Sequence, residues 1–236
     1  MSAFAILLAS GSGKRMRGVV RDKCLEPLAG LPVIAHSARA FWEAGVVDGF
    51  VIVCRDEAQQ VAAAAALHPV PVGFPIIWAN GGAERQDSVL NGLEACPPDT
   101  EIVFIHDAAR PLITPAALKR LSAVARREGA AVLAHKVKDS IKQIPVDAPP
   151  ERAVLMKDLD RSGLRAMETP QVFHYPLIRN AYRLVAQNGA RITDDVAAAT
   201  LAGHNVALVE NDSPNPKLTE PHDVAWAEFL LSRRAD

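Results

Sequence analysis

Cysteine is scarce in this sequence, and its three residues, Cys24, Cys54 and Cys96, lie far apart. Their number is odd and none forms a Cys-x-x-Cys pair, which argues against a disulfide framework and against a structural zinc site. Reduced thiols fit a protein of a reducing compartment. The sequence therefore predicts a cytoplasmic location.

An excess of charge of either sign is also missing. The 26 Lys and Arg residues and the 27 Asp and Glu residues give a formal net charge of -1. Binding to nucleic acid requires a broad excess of basic residues that displaces counterions from the phosphates. We therefore expect no nucleic-acid partner, and any basic cluster is expected to be local and to bind a small anion.

Long apolar runs are absent as well. No run approaches the ~20 residues that a membrane-spanning helix requires, so no membrane partner is expected. The N-terminal stretch AFAILLA follows no Lys or Arg and is followed directly by SGSGKR. This order argues against a secretory signal sequence.

Short apolar runs alternate with longer segments of helical spacing along the chain. The runs AFAILLA, FVIVC, PIIWA and EIVFIH have the composition of buried strands. This alternation predicts an α/β fold with a mostly parallel, twisted sheet flanked by helices. The clearest predicted helix follows EIVFIH, with Thr114 as its N-cap, Pro115 in the first turn and Gly129 after the end. The length of 236 residues fits one domain spanning 1–236.

The segment 138–162 departs from this alternation, because it is rich in proline and charge. Two short alternating runs around PVDAPPE predict a protruding β-hairpin. A long hairpin is marginally stable in water unless it packs against another surface. We therefore expect this hairpin to be a dimerisation arm that packs against a second subunit.

The stretch LLASGSGKRM indicates a strand that runs into an anion-binding turn. A Walker A loop is excluded, because the position that needs its first glycine is Leu8 and Lys14 is followed by Arg15. A dinucleotide fingerprint that begins at Gly11 and Gly13 would need a small residue where the chain has Met16. The turn is therefore predicted to bind phosphates in some other class of protein.

Further polar stretches follow predicted strands, where ligands bind in open α/β sheets. NGGAERQDSVLNGL is consistent with a ligand-binding loop that brings Ser88 to a ligand, and equally with an ordinary glycine turn before a capped helix. HDAARP places Asp107 at a strand end, where it could bind a cation or a ribose or could form a surface ion pair with Arg110. Isolated lysines such as Lys23 and Lys217 are usually solvated. Thr193 in ITDD fits a helix N-cap equally well.

Taken together and in this order, the motifs resemble those of a known family. The order is a basic glycine loop, Lys23, GGxxRxxS, HDAARP, DR, TPQ, ITD and NxK. It is similar to that of the 2-C-methyl-D-erythritol 4-phosphate cytidylyltransferase family, from Ala5 to about Leu231. The resemblance implies a Rossmann-like nucleotidyltransferase fold of the GT-A-like type. It also implies transfer of CMP from CTP to a sugar-alcohol phosphate, with release of pyrophosphate.

The resemblance implies roles for individual residues. The residues implied in catalysis are Arg15, Lys23, Arg161 and Lys217. The residues implied in CTP binding are Ala9, Ser10, Gly11, Gly13, Lys14, Gly82, Ser88, Asp107 and Ala108. Backbone N–H groups from Ala9 to Gly13 would then point at the triphosphate. The residues implied in acceptor binding are Asp107, Arg110, Ser140, Thr169 and Thr193.

The resemblance further implies Mg²⁺ bound mainly through the CTP phosphates, with Asp107 as its one candidate protein ligand. It implies a homodimer in which Ser140 and Arg161 act across the interface. The chain departs from the usual family pattern at Ser10, Asp22, Cys24, Ala83 and Ser140, and the Asp22 carboxylate is expected to weaken the positive field of Lys23. Two alternative functions are a ribitol 5-phosphate cytidylyltransferase and a noncatalytic nucleotide-binding module.

Overall fold

The computed structural model describes residues 2–11, 22–149 and 151–234. The strands are β1 (Ser2–Leu8), β2 (Pro27–Leu28), β3 (Leu31–Pro32), β4 (Gly49–Cys54), β5 (Ile76–Asn80), β6 (Thr100–Asp107), β7 (Ala130–Lys136), β8 (Lys142–Gln143), β9 (Lys157–Asp158), β10 (Arg165–His174) and β11 (Ala207–Glu210). The α-helices are α1 (Val33–Ala44), α2 (Glu57–Leu67), α3 (Arg85–Ala95), α4 (Pro115–Glu128), α5 (Tyr175–Gln187), α6 (Asp195–Leu201) and α7 (His222–Ser232).

Seven strands form the central sheet in the order β11-β7-β10-β6-β1-β4-β5. The pairs β1–β4, β1–β6, β4–β5 and β7–β11 are parallel, whereas β10 runs antiparallel to both β6 and β7. The predicted mostly parallel sheet is therefore confirmed. The four runs identified as strands from the sequence correspond to β1, β4, β5 and β6.

The sheet is covered by helices on both faces because its central strands are apolar on both sides. Leu7 of β1 packs into one core with α1, α2 and α4, and its neighbour Ile6 packs into the other core with α3, α5 and α6. Both side chains are completely buried. Because successive side chains of a strand point to opposite faces of the sheet, β1 contributes to both cores.

Local sequence signals set the ends of α4 as predicted. The Thr114 hydroxyl accepts a hydrogen bond from the Ala117 N–H at 3.2 Å, Pro115 occupies the first turn, and Gly129 ends the helix at φ 88°. The N-cap alternative for Thr193 is wrong, because Asp194 caps α6 by accepting from the Ala197 N–H at 2.9 Å.

The segment 138–162 contains a short antiparallel pair, in which Lys142 lies opposite Asp158 and Gln143 lies opposite Lys157. Several apolar side chains of this segment are largely exposed: Ile144, Val146, Leu155 and Met156. Within the described ranges, no helix is both long and apolar enough to cross a membrane.

The parallel arrangement decides where a ligand can bind. The carboxyl ends of β1, β4, β5 and β6 lie at the same edge of the sheet. The segments that follow these strands are therefore neighbours, although they are far apart in the sequence.

Candidate active site

A cleft of about 640 Å³ opens at this edge of the sheet. Its lining residues are Leu8, Ser10, Gly11, Lys23, Cys24, Arg55, Gly82, Ala83, Glu84, Arg85, Ser88, Asp107, Ala109, Lys217 and Thr219. Four of the side chains are cationic and two are acidic. A positively charged cleft at the carboxyl ends of parallel strands is suited to a phosphorylated ligand.

The glycines after β5 allow a close approach between three segments. A Cβ atom on Gly81 would lie 2.5 Å from the Ser10 Cβ, and one on Gly82 would lie 2.2 Å from the Asp87 Cβ. The Ser88 Oγ accepts from the Gly82 N–H at 3.0 Å and lies 3.2 Å from the Ser10 Oγ. Two hydroxyls are thereby held side by side at one wall of the cleft.

Asp107, the last residue of β6, forms ion pairs with two cations in the cleft. Its Oδ2 accepts from the Lys217 Nζ at 2.5 Å, and its Oδ1 accepts from the Arg85 Nε at 3.3 Å. Burial alone would raise the pKa of Asp107, but Arg85 and Lys217 outweigh burial and hold this pKa far below its usual range. The carboxylate is therefore ionised at every pH at which the protein is expected to work.

Arg85 lies between Asp107 and a second, deeper carboxylate. Its two terminal nitrogens donate to both oxygens of Asp195 at 2.8 and 2.9 Å, and the Tyr182 hydroxyl donates to the same carboxylate at 2.5 Å. The Asp195 side chain is fully buried. Burial opposes the charge of Arg85, but Asp195 and Asp107 outweigh it and raise the pKa of the guanidinium.

His106 lies directly behind Asp107 and is fully buried. Its Nε2 is 3.2 Å from the Arg110 carbonyl, which can only accept, so Nε2 carries the proton. Nδ1 then accepts from the Thr169 hydroxyl at 3.1 Å, and this hydroxyl accepts from the Asp107 N–H at 3.0 Å. Burial lowers the pKa of His106 to about 3, so the ring is neutral. The chain of hydrogen bonds orients both Thr169 and the end of β6.

Arg110 reaches under the loop after β11, where its Nη1 donates to the Asn215 carbonyl at 2.7 Å. Its Nε is buried and has no hydrogen-bonding partner among the described residues. Burial lowers the pKa of Arg110, although Asp107 and Glu168 lie near enough to oppose this effect. A buried donor without a partner is costly.

Lys23 lies on a turn beside the first loop. A Cβ atom on Gly11 would lie 3.9 Å from the Lys23 Cε, so the lysine is next to the described end of that loop. The preceding Asp22 carboxylate accepts from the Cys24 N–H at 3.1 Å and from the Gln59 amide, and it lies 3.6 Å from the Arg55 Nη2. The Asp22 carboxylate therefore interacts with these groups as well as with the neighbouring Lys23.

Gln59 connects this turn to the end of β1. Its amide nitrogen donates both to Asp22 and, at 2.9 Å, to the Ala9 carbonyl, while its amide oxygen accepts from the Arg55 N–H at 2.6 Å. The Ala9 N–H donates to the Val53 carbonyl at 3.0 Å. The expectation that the Ala9 N–H points at a phosphate is therefore wrong. The likewise implicated Ala108 donates its N–H to the Leu8 carbonyl.

Comparisons with known proteins bear on what this cleft binds. The profile of the IspD family, 2-C-methyl-D-erythritol 4-phosphate cytidylyltransferase, matches residues 3–233. The enzyme of that name from Oryza sativa subsp. japonica, a chloroplastic protein, is 37% identical over 233 residues, which are 99% of this chain and 75% of the relative. The one from Pelotomaculum thermopropionicum is 36% identical and covers 98% of this chain and 94% of the relative.

This chain belongs to the 2-C-methyl-D-erythritol 4-phosphate cytidylyltransferase family. Solved structures agree with this assignment. The enzyme of that name from Thermus thermophilus is 27% identical with a TM-score of 0.75, covering 96% of this chain and 98% of the other. The 4-diphosphocytidyl-2C-methyl-D-erythritol synthase from Anaerococcus prevotii, at 24% identity and a TM-score of 0.83 over 98% and 96% of the two chains, shares the fold.

The structure brings together part of the residue set that the family resemblance implies. The members of this set that line the cleft are Ser10, Gly11, Lys23, Gly82, Ser88, Asp107 and Lys217. Thr169 and Arg110 lie outside this lining and bond to the main chain of Asp107. Gly13, Lys14 and Arg15 lie outside the described residues.

Three further implied residues lie away from the lining of this cleft: Ser140, Arg161 and Thr193. Ser140 and Arg161 belong to the segment 138–162, where the Arg161 Nη1 donates to the Lys138 carbonyl at 2.6 Å. All three side chains are exposed. Within one chain they therefore do not belong to the lining of this cleft.

Two residues in or next to the cleft, Arg85 and Gln59, were not assigned a role from the sequence. Arg85 was visible only as the Arg of GGxxRxxS, and nothing in the sequence indicated its bidentate pair with Asp195. Gln59 belongs to an alanine-rich helix and carries no motif at all. Only the fold, which brings α2 against the end of β1, identifies it.

The donor set of the cleft suits a divalent cation that is held mainly by a ligand. In the part of the chain that the structure describes, no group of three or more His, Cys, Asp or Glu side chains could hold a metal ion. Asp107 is a single carboxylate, and both of its oxygens already accept from cations. Mg²⁺ commonly binds through one carboxylate and the phosphates of a substrate, and these residues fit that mode.

Proposed function

We propose that this protein transfers CMP from CTP to 2-C-methyl-D-erythritol 4-phosphate and releases pyrophosphate. The product is then 4-diphosphocytidyl-2-C-methyl-D-erythritol, a step of non-mevalonate isoprenoid biosynthesis. The observation that carries this proposal is the convergence of Lys23, Asp107 and Lys217 in one cleft of a chain that belongs to this family. The three residues come from distant parts of the sequence.

The reaction needs no general base. An ionised oxygen of the acceptor phosphate attacks the α-phosphorus of CTP, a new phosphorus–oxygen bond forms, and the bond to the β-phosphate breaks. Two polyanions must be brought together for this step, and charge builds up at the α-phosphorus. Cations held in advance at that position lower the barrier.

The residues that the family resemblance implies divide these tasks. Lys23 and Arg15 stabilise the charge at the α-phosphorus, with Gly11, Gly13 and Lys14 near the triphosphate. The main chain at Gly82 and Ala9, together with the Ser10 and Ser88 hydroxyls, contacts the cytosine. The Ala9 N–H bonds to Val53 and the Ala9 carbonyl already accepts from Gln59, so Ala9 can contact a ligand only through the second lone pair of that carbonyl. Asp107 and Ala108 adjoin the ribose.

The acceptor site adjoins this nucleotide site. Lys217 and Arg161 hold the acceptor phosphate, and Arg110, Thr169, Ser140 and Thr193 contact the rest of the acceptor. Asp107 together with the CTP phosphates would hold Mg²⁺, which when bound neutralises part of the triphosphate charge.

We also propose that the protein is a cytoplasmic homodimer. The exposed apolar side chains of the segment 138–162 support packing against a second subunit, which would bring Ser140 and Arg161 to the partner's cleft. The three cysteine thiols are free, as expected in a reducing compartment. Full activity in a preparation shown to be monomeric by sedimentation would overturn the shared active site.

The experiment tests every combination of a nucleoside triphosphate and an acceptor. Purified protein with Mg²⁺ is incubated with each nucleoside triphosphate and each acceptor, and pyrophosphate release is measured. Release with CTP and 2-C-methyl-D-erythritol 4-phosphate alone supports the proposal. Release with ribitol 5-phosphate would instead indicate a ribitol 5-phosphate cytidylyltransferase, and no release with any pair would indicate a noncatalytic nucleotide-binding module.

A further inference from the structure

Arg85 has a position that the proposed chemistry does not by itself explain. It lines the cleft, but its terminal nitrogens face away from the cleft toward Asp195 at 2.8 and 2.9 Å. Only its Nε is directed at Asp107, at 3.3 Å. The guanidinium therefore links a carboxylate in the cleft to one that is fully buried.

The two cations on Asp107 differ in how firmly they are held. The Lys217 ammonium is paired with Asp107, and an ammonium on a flexible stem can move to a phosphate. Arg85 is fixed on its far side by the bidentate pair with Asp195. Asp195 in turn accepts from the Tyr182 hydroxyl, which is also buried. Arg85 is thus anchored from behind by a second, buried carboxylate.

This difference matters once a phosphate enters the cleft. A phosphate carries more charge than one carboxylate and competes for Lys217. If Lys217 turned to it, Arg85 would be the one ion-pair partner left on Asp107 among the described residues. Without Arg85 as well, a carboxylate at such a depth would turn toward other donors. Arg85 prevents this movement, because its own position does not depend on the ligand.

We propose that Arg85 is a positioning residue. Asp195 and Tyr182 anchor it, and it holds the Asp107 carboxylate in one orientation while the Lys217 side chain turns from Asp107 to the acceptor phosphate. This inference rests on the proposed function for the role of Lys217. Arginine suits the task because its fork binds one carboxylate with two nitrogens and leaves Nε for another. A lysine at this position would keep the charge but lose the double contact.

The test compares Arg85→Gln and Arg85→Lys with the matched variant Arg179→Gln. Arg179 forms a similar bidentate pair with Glu94 on the outer surface of α3 and α5, away from the cleft. We expect Arg85→Gln to lower kcat by about 10- to 100-fold, the usual effect of a misplaced reacting group. Arg85→Lys should retain an intermediate kcat, and Arg179→Gln should stay within about twofold of the unchanged protein. A kcat for Arg85→Gln equal to that of Arg179→Gln would overturn the inference.

A second readout does not depend on turnover. Crystal structures of Lys217→Met, alone and combined with Arg85→Gln, show the orientation of the Asp107 carboxylate once its other ion-pair partner is removed. The carboxylate should keep its orientation in Lys217→Met and should turn in the double variant, whereas Lys217→Met combined with Arg179→Gln should keep it. If the variant with Arg85→Gln does not fold, Tyr182→Phe is measured instead and should shift both readouts in the same direction by less. An unchanged Asp107 orientation in the folded double variant would refute the positioning role. If the unaltered protein releases no pyrophosphate, the proposed function fails, and the orientation of Asp107 alone decides on Arg85.

Discussion

The Lys217 Nζ lies 2.5 Å from the Oδ2 of Asp107, although 110 positions separate the two residues. The pair joins the loop after β11 to the end of β6, across the antiparallel strand β10 that lies between the two parallel parts of the sheet. Lys217 is therefore held at the cleft by a carboxylate before any phosphate competes for it. An exposed, isolated lysine would not be oriented in this way.

Replacement of Lys217 by methionine should impair turnover strongly. We expect kcat to fall by roughly 100- to 1000-fold, as is typical when one preorganised cation at the reacting phosphate is lost. The KM for the acceptor should rise more than that for CTP. Steady-state kinetics of pyrophosphate release measure both. Lys119→Met, at an exposed position of α4, is the control, and equal kinetics for the two variants would contradict the role of Lys217.

The close approach at Gly81 leads to a second prediction. A Cβ at this position would lie 2.5 Å from the Ser10 Cβ and 3.4 Å from the Cys54 carbonyl oxygen, so Gly81→Ala must displace the loop after β1. We expect CTP affinity, measured by calorimetry, to fall by at least about tenfold, since the Ser10 and Ser88 hydroxyls would separate. Gly73→Ala is the matched control because a Cβ there meets nothing within 4 Å. Unchanged CTP binding in Gly81→Ala would exclude this wall as the base site.

The sheet and its helices were predictable because their signals are local. The strand β6 is apolar over consecutive residues, and α4 carries an N-cap, a proline and a terminal glycine in the expected order. The position of Asp107 at a strand end followed from the same signals. The ion pairs that keep Asp107 ionised could not be predicted from these signals. Arg85 and Lys217 reach Asp107 from segments that only the folded sheet brings together.

The expected effect of Asp22 on Lys23 illustrates the same limit. As neighbours in the sequence, a carboxylate and a lysine should attract each other, which would weaken the positive field at the loop. In the folded chain, the Asp22 carboxylate accepts from the Cys24 N–H and the Gln59 amide, and burial raises its pKa. The alanine-rich sequence around Gln59 has no feature that reveals this contact.

Gln59 should therefore be important for stability. Gln59→Leu keeps a similar volume but leaves the Asp22 carboxylate, the Ala9 carbonyl and the Arg55 N–H without this partner. Each buried polar group left unpaired costs about 1–3 kcal/mol. We expect the free energy of unfolding, measured with denaturant, to fall by roughly 2–4 kcal/mol. Gln60→Leu, on the same helix and only partly buried, should change it by less than about 1 kcal/mol. Similar losses in both variants would show that the network around Asp22 contributes little.

The buried His106 predicts how stability depends on pH. Burial lowers its pKa from 6.5 to about 3, so between these pH values the unfolded chain binds a proton at this position and the folded chain does not. The free energy of unfolding then rises with pH in this window and is constant above it. The slope contributed by one such group is at most about 1.4 kcal/mol per pH unit.

Comparison of His106→Gln with the unaltered protein isolates this contribution, because the other titrating groups are common to both. A glutamine amide can donate to the Arg110 carbonyl in place of Nε2, but it takes up no proton. Below pH 6.5 the variant should therefore lose stability less steeply with falling pH, whatever its absolute stability above that pH. Parallel curves for His106→Gln and the unaltered protein between about pH 5 and 6.5 would mean that His106 is protonated in the fold, and Nδ1 could then not accept from Thr169.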